Sequence, residues 1–248
     1  LIFETRGSFF SGNGDLAIRG LTFRSIAGGV RMETEGPNNP DASVRLNQVW
    51  FDRTLASIGE TAEIFLRSSM ITRVGVDCAL RIEYNAEDAG FLELIQLIQV
   101  TVAENADRGI CIGNVDSSRY QLEMVNTIAW GNSTDVVLAS GSDGIDVELF
   151  NNTYATLTNN QPLVGEVAGT LSSNPQFENP AGNDFELGGS SASINSAFPL
   201  GTASTDKDLF GADRVFSSAA DRGALASAIG RTAATLLVTN TNAAGLGS

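Results

Sequence analysis

Histidine is missing from this chain, lysine occurs once, at Lys207, and cysteine occurs twice, at Cys78 and Cys111. Each scarcity removes a class of chemistry. Without histidine, a structural zinc site of the usual Cys/His type cannot be built from two cysteines, nor can a hydrolase site that relies on an imidazole. Fifteen basic against 29 acidic residues leave a net charge of −14, and a surface so poor in lysine and arginine repels nucleic acid and anionic membranes. No run approaches the roughly 18 apolar residues of a membrane span. Only 6 prolines accompany 26 glycines, a balance that suits many tight turns without stiff linkers.

What is present is a repeat. Six segments carry alternating apolar residues and close on a small or amide side chain: LAIRGLTF from Leu16, VRLNQVWF from Val44, IFLRSSMI from Ile64, LELIQLIQ from Leu92, LEMVNTIA from Leu122 and VELFNNTY from Val147. Period-two alternation sets the first and third positions of each on one strand face. The predicted inward column is therefore Leu16, Val44, Ile64, Leu92, Leu122 and Val147. The fifth position is Gly20, Gln48, Ser68, Gln96, Asn126 or Asn151, residue types that suit a bend, and stacked amides there can bond along a ladder. A second apolar phrase follows within each turn: GVRMETEG from Gly29, CALRIEY from Cys78, GICIGNV from Gly109 and DVVLASG from Asp135. A β-sandwich also uses many short strands but gives no reason for one phrase to return every 20 to 30 residues. The pattern predicts an all-β fold, a single-stranded right-handed parallel β-helix, with coils over 1–173, an irregular C-terminal segment over 174–230 and an extended tail over 231–248. Ser217 to Ile229 is the best stretch for a helix.

Two regions carry a resemblance. Asn174-Pro175-Gln176-Phe177, Asp184-Phe185-Glu186-Leu187, Ser191-Ala192-Ser193-Ile194, the turn Asp208-Leu209-Phe210-Gly211-Ala212-Asp213-Arg214 and the closing Asp221-Arg222-Gly223-Ala224-Leu225 follow one another in order. This run resembles the C-terminal segment of bacterial surface β-helix proteins called choice-of-anchor Q proteins. It departs from them at Ala192, where a proline is usual, and at Leu225, where an aromatic is usual. The tail, from Val238 to Ser248, looks like the opening of another β-helix module of the same kind, and Ile2 to Ser8 resembles the first full strand of such a module. The start has no initiator Met and no signal-peptide layout. A segment of a longer extracellular or cell-surface protein is expected.

Candidate chemistry is sparse. Asp143 and Asp146, with Asp206, Asp208 and Asp213, sit in Gly-rich turns and could offer oxygens to calcium, the one cofactor the chain suggests. Trp50, Trp130 and Tyr154 are candidates for a glycan-binding strip, although aromatics in a stacked fold more often fill the core. The glutamates Glu83, Glu93, Glu123 and Glu148 read as outward strand residues, with Arg45, Arg67 and Arg81 available to offset them. The cysteines could be small core residues or one disulfide. Aligning CALRIEY with GICIGNV by apolar phase places Cys78 beside Ile110 and Cys111 on the opposite face, which predicts no bond. The leading expectation is a non-catalytic structural or adhesive module whose partners are copies of itself or adjacent β-helix modules. Leu1, Ile2 and Phe3 would meet Leu236, Leu237 and Val238 of a neighbour. The alternative is a carbohydrate-active protein, either a polysaccharide lyase or a glycan-binding module.

Overall fold

The alternating phrases form strands in the computed structural model, which describes residues 2–3, 8–12, 15–34, 42–59, 61, 63–75, 77–84, 93–114, 120–139, 145–199, 207–216 and 219–227. In chain order the strands come in threes. The first three turns are β1 (Ile2–Phe3), β2 (Ser8–Gly12) and β3 (Leu16–Arg19); β4 (Thr22–Arg24), β5 (Val30–Thr34) and β6 (Ser43–Asn47); and β7 (Trp50–Asp52), β8 (Ala56–Gly59) and β9 (Glu63–Arg67). The next three are β10 (Met70–Thr72), β11 (Cys78–Tyr84) and β12 (Glu93–Ile98); β13 (Thr101–Ala103), β14 (Arg108–Asn114) and β15 (Tyr120–Val125); and β16 (Ile128–Trp130), β17 (Thr134–Ala139) and β18 (Ile145–Phe150). A last turn holds Thr153, bridged to Ile128, then β19 (Leu157–Asn159) and β20 (Leu163–Ala168).

The three strands of a turn belong to three different sheets, all parallel. Sheet A runs β1-β4-β7-β10-β13-β16, sheet B runs β2-β5-β8-β11-β14-β17-β19, and sheet C runs β3-β6-β9-β12-β15-β18-β20. Parallel pairing needs a crossover, and here each crossover is the rest of one turn. Apolar side chains from all three sheets meet in one core, including Phe23, Phe51, Val30, Ile58, Leu80, Val44, Ile64 and Leu122.

Register along sheet C decides the column read from the sequence. Leu16 pairs with Val44, Val44 with Ile64, Ile64 with Ile95, Ile95 with Leu122 and Leu122 with Val147. The fourth place thus belongs to Ile95, not to Leu92, which lies outside the described residues. LELIQLIQ holds two overlapping alternations, and the correct one is set by its distance to the next corner. That corner is Gln99, not Gln96: Gly20, Gln48, Ser68, Gln99, Asn126, Asn151 and Gly169 have φ of 67, 57, 49, 56, 54, 51 and 67°. The left-handed backbone explains the residue types, since glycine and asparagine adopt it at least cost. From each of these seven corners the next strand or bridge begins two residues on, at Thr22, Trp50, Met70, Thr101, Ile128, Thr153 and Leu171. A second left-handed corner follows sheet A at Ser25, Arg53, Arg73, Glu104 and Gly131.

The cysteines are paired, against the reading from apolar phase: Cys78 and Cys111 form a disulfide with Cα atoms 5.9 Å apart. The ladder sets Leu80, not Cys78, beside Ile110 and skips the Ala79/Gly109 pair. A regular ladder, with Cys111 opposite Arg81, would carry Cys111 about 10 Å further along than Cys78, so the strand departs from regularity beside the bond. Cys78 opens its strand directly after Asp77, at φ 44°, so the direction of its side chain is set by that corner and not by strand alternation.

The segment after the strand turns lies on sheet A. It contains β21 (Phe177–Asn179), a 3-10 turn at Pro180–Gly182, β22 (Asp184–Leu187), β23 (Val215–Phe216) and β24 (Ala219–Ala220), paired as two antiparallel ribbons. Phe185, Leu209, Ala224 and Leu225 pack on Trp50, Met70 and Ala103, a second apolar cluster. Strands β7, β10 and β13 are consequently buried at every position. The stretch proposed as helical contains β24 instead, and no helix among the described residues is long and apolar enough to cross a membrane.

Candidate functional site

The C-terminal segment absorbs several of the candidate residues. The carboxylate of Asp208 accepts from the backbone N–H of Phe210, Ala212 and Ala226 at 3.0, 2.7 and 3.2 Å. It organises a turn that Gly211 completes at φ 85°. Arg214, buried, donates to the carbonyls of Gly223 and Ala224 at 2.8 and 2.7 Å. Asp213 lies at the surface with Lys207. Asp146 is on β18, part of sheet C, while Asp143 and Asp206 lie outside the described residues. The described residues contain no group of three or more His, Cys, Asp or Glu side chains arranged to hold a metal.

The aromatic candidates are not brought together. Trp50 is buried under the C-terminal segment, donates its Nε1–H to Thr72 at 3.0 Å and meets the edge of Phe210. Trp130 is half-buried and stands in a different column, opposite Ala103. Tyr154 packs partly against the core at the last turn. Of the assembly candidates, Ile2 and Phe3 pair with Thr22 and Phe23, whereas Leu1, Leu236, Leu237 and Val238 lie outside the described residues.

Sequence reasoning missed the side chains that fasten the segment to the stack. Arg222 donates to the carbonyl of Asn152 at 2.7 Å, and burial lowers its pKa to about 10. Asp221 accepts from the N–H groups of Asn195 and Ser227. The corner residues reach outward to the same segment: Gln48 to the carbonyl of Asp208, Ser68 to that of Lys207, Asn126 to that of Phe198 and Asn151 to that of Ser196. The amides therefore clasp the segment and do not bond to one another as a ladder. Gln99 alone among these corner amides and hydroxyls is fully buried with neither amide atom bonded. The signal was present in the Asp-x-x-Gly-x-x-Arg spacing from Asp208 to Arg214, which a strand pattern cannot interpret.

The outward face of sheet C and its last edge are exposed among the described residues. One outward column runs Ala17, Arg45, Phe65, Gln96, Glu123, Glu148 and Glu166 across seven strands. Arg45 lies over the Phe65 ring at 4.4 Å and meets Glu63 at 3.6 Å. Gln96 donates to Glu123. The β20 end forms a cleft of about 420 Å³ lined by Gln121, Asp146, Glu148, Val164, Gly165 and Glu166 among others. Gly165 is required there: its φ is 124°, and a Cβ would stand 2.1 Å from the Val147 carbonyl oxygen. Val164 and Val167 are 52% and 48% exposed, although Val167 lies in the inward column, opposite Leu149. Among the described residues no strand covers the core at this end. Comparison of the chain with family models, with curated proteins and with solved structures finds no match.

Proposed function

We propose that the three sheets form one right-handed parallel β-helix, the hand that twisted parallel crossovers favour, and that this is a structural module of an extracellular surface protein or filament. The module carries no catalysis; it extends a stack by head-to-tail association with copies of itself or with neighbouring β-helix modules. The observation that supports this most is the open core at β20, where inward Val167 is half exposed at the edge of an all-parallel sheet. Unpaired strand edges recruit other strands unless covered. A head-to-tail contact is heterologous, so it propagates. The likeness of the Asn174 to Leu225 run to choice-of-anchor Q segments supports the same setting, and the negative charge disfavours an anionic polysaccharide substrate.

Sedimentation velocity across a concentration series, with electron microscopy of the concentrated sample, tests this reading. Elongated species that lengthen with concentration are expected. A chain that remains monomeric throughout contradicts it. Release of unsaturated uronates from an acidic polysaccharide in calcium would replace it with the lyase reading.

A further inference from the structure

The two ends of sheet C differ in charge, and the difference specifies a contact. On its first three strands the outward face carries Arg19, Arg45 and Arg67 with Glu63, and Asp15 leads into β3 bonded to Ser43; on its last three it carries Glu123, Asp146, Glu148 and Glu166 and no basic residue. Both terminal strands, β3 and β20, point the same way in one parallel sheet, and so do β2 and β19 in sheet B. We infer that β20 of one copy pairs in parallel with β3 of a second copy, and β19 with β2, so that the acidic end of sheet C seats on the basic end of the next. This rests on the modular reading above and specifies its contact.

Register continues the existing columns. Leu16 and Ile18 of the second copy follow Gly165 and Val167 on the inward side, which covers the open core. Glu166 then stands beside Ala17, whose small side chain leaves it within reach of Arg19 diagonally and of Arg45 one strand further. Complementary charge of this kind favours the productive orientation over tail-to-tail or head-to-head contact. Sheet A does not take part. Leu171 already occupies the place beyond Thr153, held by Leu171 N–H to the Asn152 carbonyl and Tyr154 N–H to the Leu171 carbonyl at 2.8 and 3.0 Å. The two-residue β1 of the incoming copy has to give way there. Each added copy advances the stack by seven strand spacings, about 34 Å.

The test combines cross-linking with charge exchange on the full chain. Ala17→Cys and Glu166→Cys mixed as single variants should give covalent heterodimers under mild oxidation, and the double variant should give a ladder of multimers. Glu83→Cys mixed with Glu166→Cys is the control and should give neither. Glu166→Arg should weaken self-association by about tenfold, with Arg19→Glu in the same chain restoring it. Val167→Lys should abolish association, and its circular dichroism shows whether the fold survives. If the wild-type chain assembles while the Ala17/Glu166 pair does not cross-link, this contact is wrong and the modular reading stands. If the wild type stays monomeric, both are wrong. If deletion of 231–248 strengthens assembly, the chain's own tail covers the β20 edge, and the contact as stated is overturned.

Discussion

The strand stack and the C-terminal segment bury their backbones by different means. In the stack, each strand is satisfied by its neighbours, and side chains need only alternate: Val44, Ile64, Ile95 and Leu122 repeat one position with almost no polar help. The described part of the segment over 174–227 has two short antiparallel ribbons and one isolated bridge, so buried ionic side chains do the same task for its turns. Asp208 accepts from three backbone N–H groups, as Asp135 does at a corner of the stack, and Arg214 and Arg222 satisfy carbonyls of the segment and of the stack. The strands of the repeating fold thus rest on apolar volume, with directional side-chain bonds kept to corners such as Asn105, Asp135 and Asn152, whereas the irregular cover depends on such bonds for its turns.

That contrast predicts where damage spreads. Ile95→Ala removes a fully buried side chain from the middle of the stack and should cost about 2–5 kcal/mol, lowering the urea midpoint of the whole chain. The disulfide between β11 and β14 closes a span of 33 residues. Cys111→Ser should cost about 2–4 kcal/mol, and the unreduced wild type should be lighter than the reduced one by a pair of hydrogens. Asp208→Ala leaves its backbone donors without an acceptor, at about 1–3 kcal/mol. Its effect should be confined: hydrogen exchange should accelerate from Lys207 to Ser227 while Ile64 and Leu122 stay protected. Equal acceleration in both regions would erase the distinction.

Alkaline pH gives the smallest effect and separates the regions again. Burial in the stack raises the Tyr120 phenol above its ordinary value of 10.0. The folded chain keeps a proton there that the unfolded chain releases, so stability is full below pH 10 and falls as pH rises above it. Tyr120→Phe should flatten that fall, as seen in urea midpoints measured on both sides of pH 10.

The same contrast explains what the sequence revealed. Strand positions in sheets B and C follow from two-residue alternation, and the left-handed corners from Gly, Gln, Ser and Asn at fixed offsets. The error at Leu92 arose because Leu94, Ile95 and Leu97 allow two phases, and only pairing with Ile64 and Leu122 selects one. The cysteine error came from treating Cys78 as an interior strand residue when it opens the strand after a left-handed corner. The burial of Trp50 was not legible because its cover, Phe185 and Leu225, lies more than a hundred residues away in a segment with no period. The open edge at Val167 could not be read either, since its spacing is that of an ordinary inward residue.

The fold requires seven parallel strands lying in register across sheet C. Double electron–electron resonance between nitroxides on Ala17→Cys and Glu166→Cys, diluted with unlabelled chain, measures that stack end to end. Six strand spacings separate the two positions in one outward column, so a distribution centred at about 29 Å is expected. A distribution centred at half that distance, as two packed sheets folded face to face would give, contradicts it.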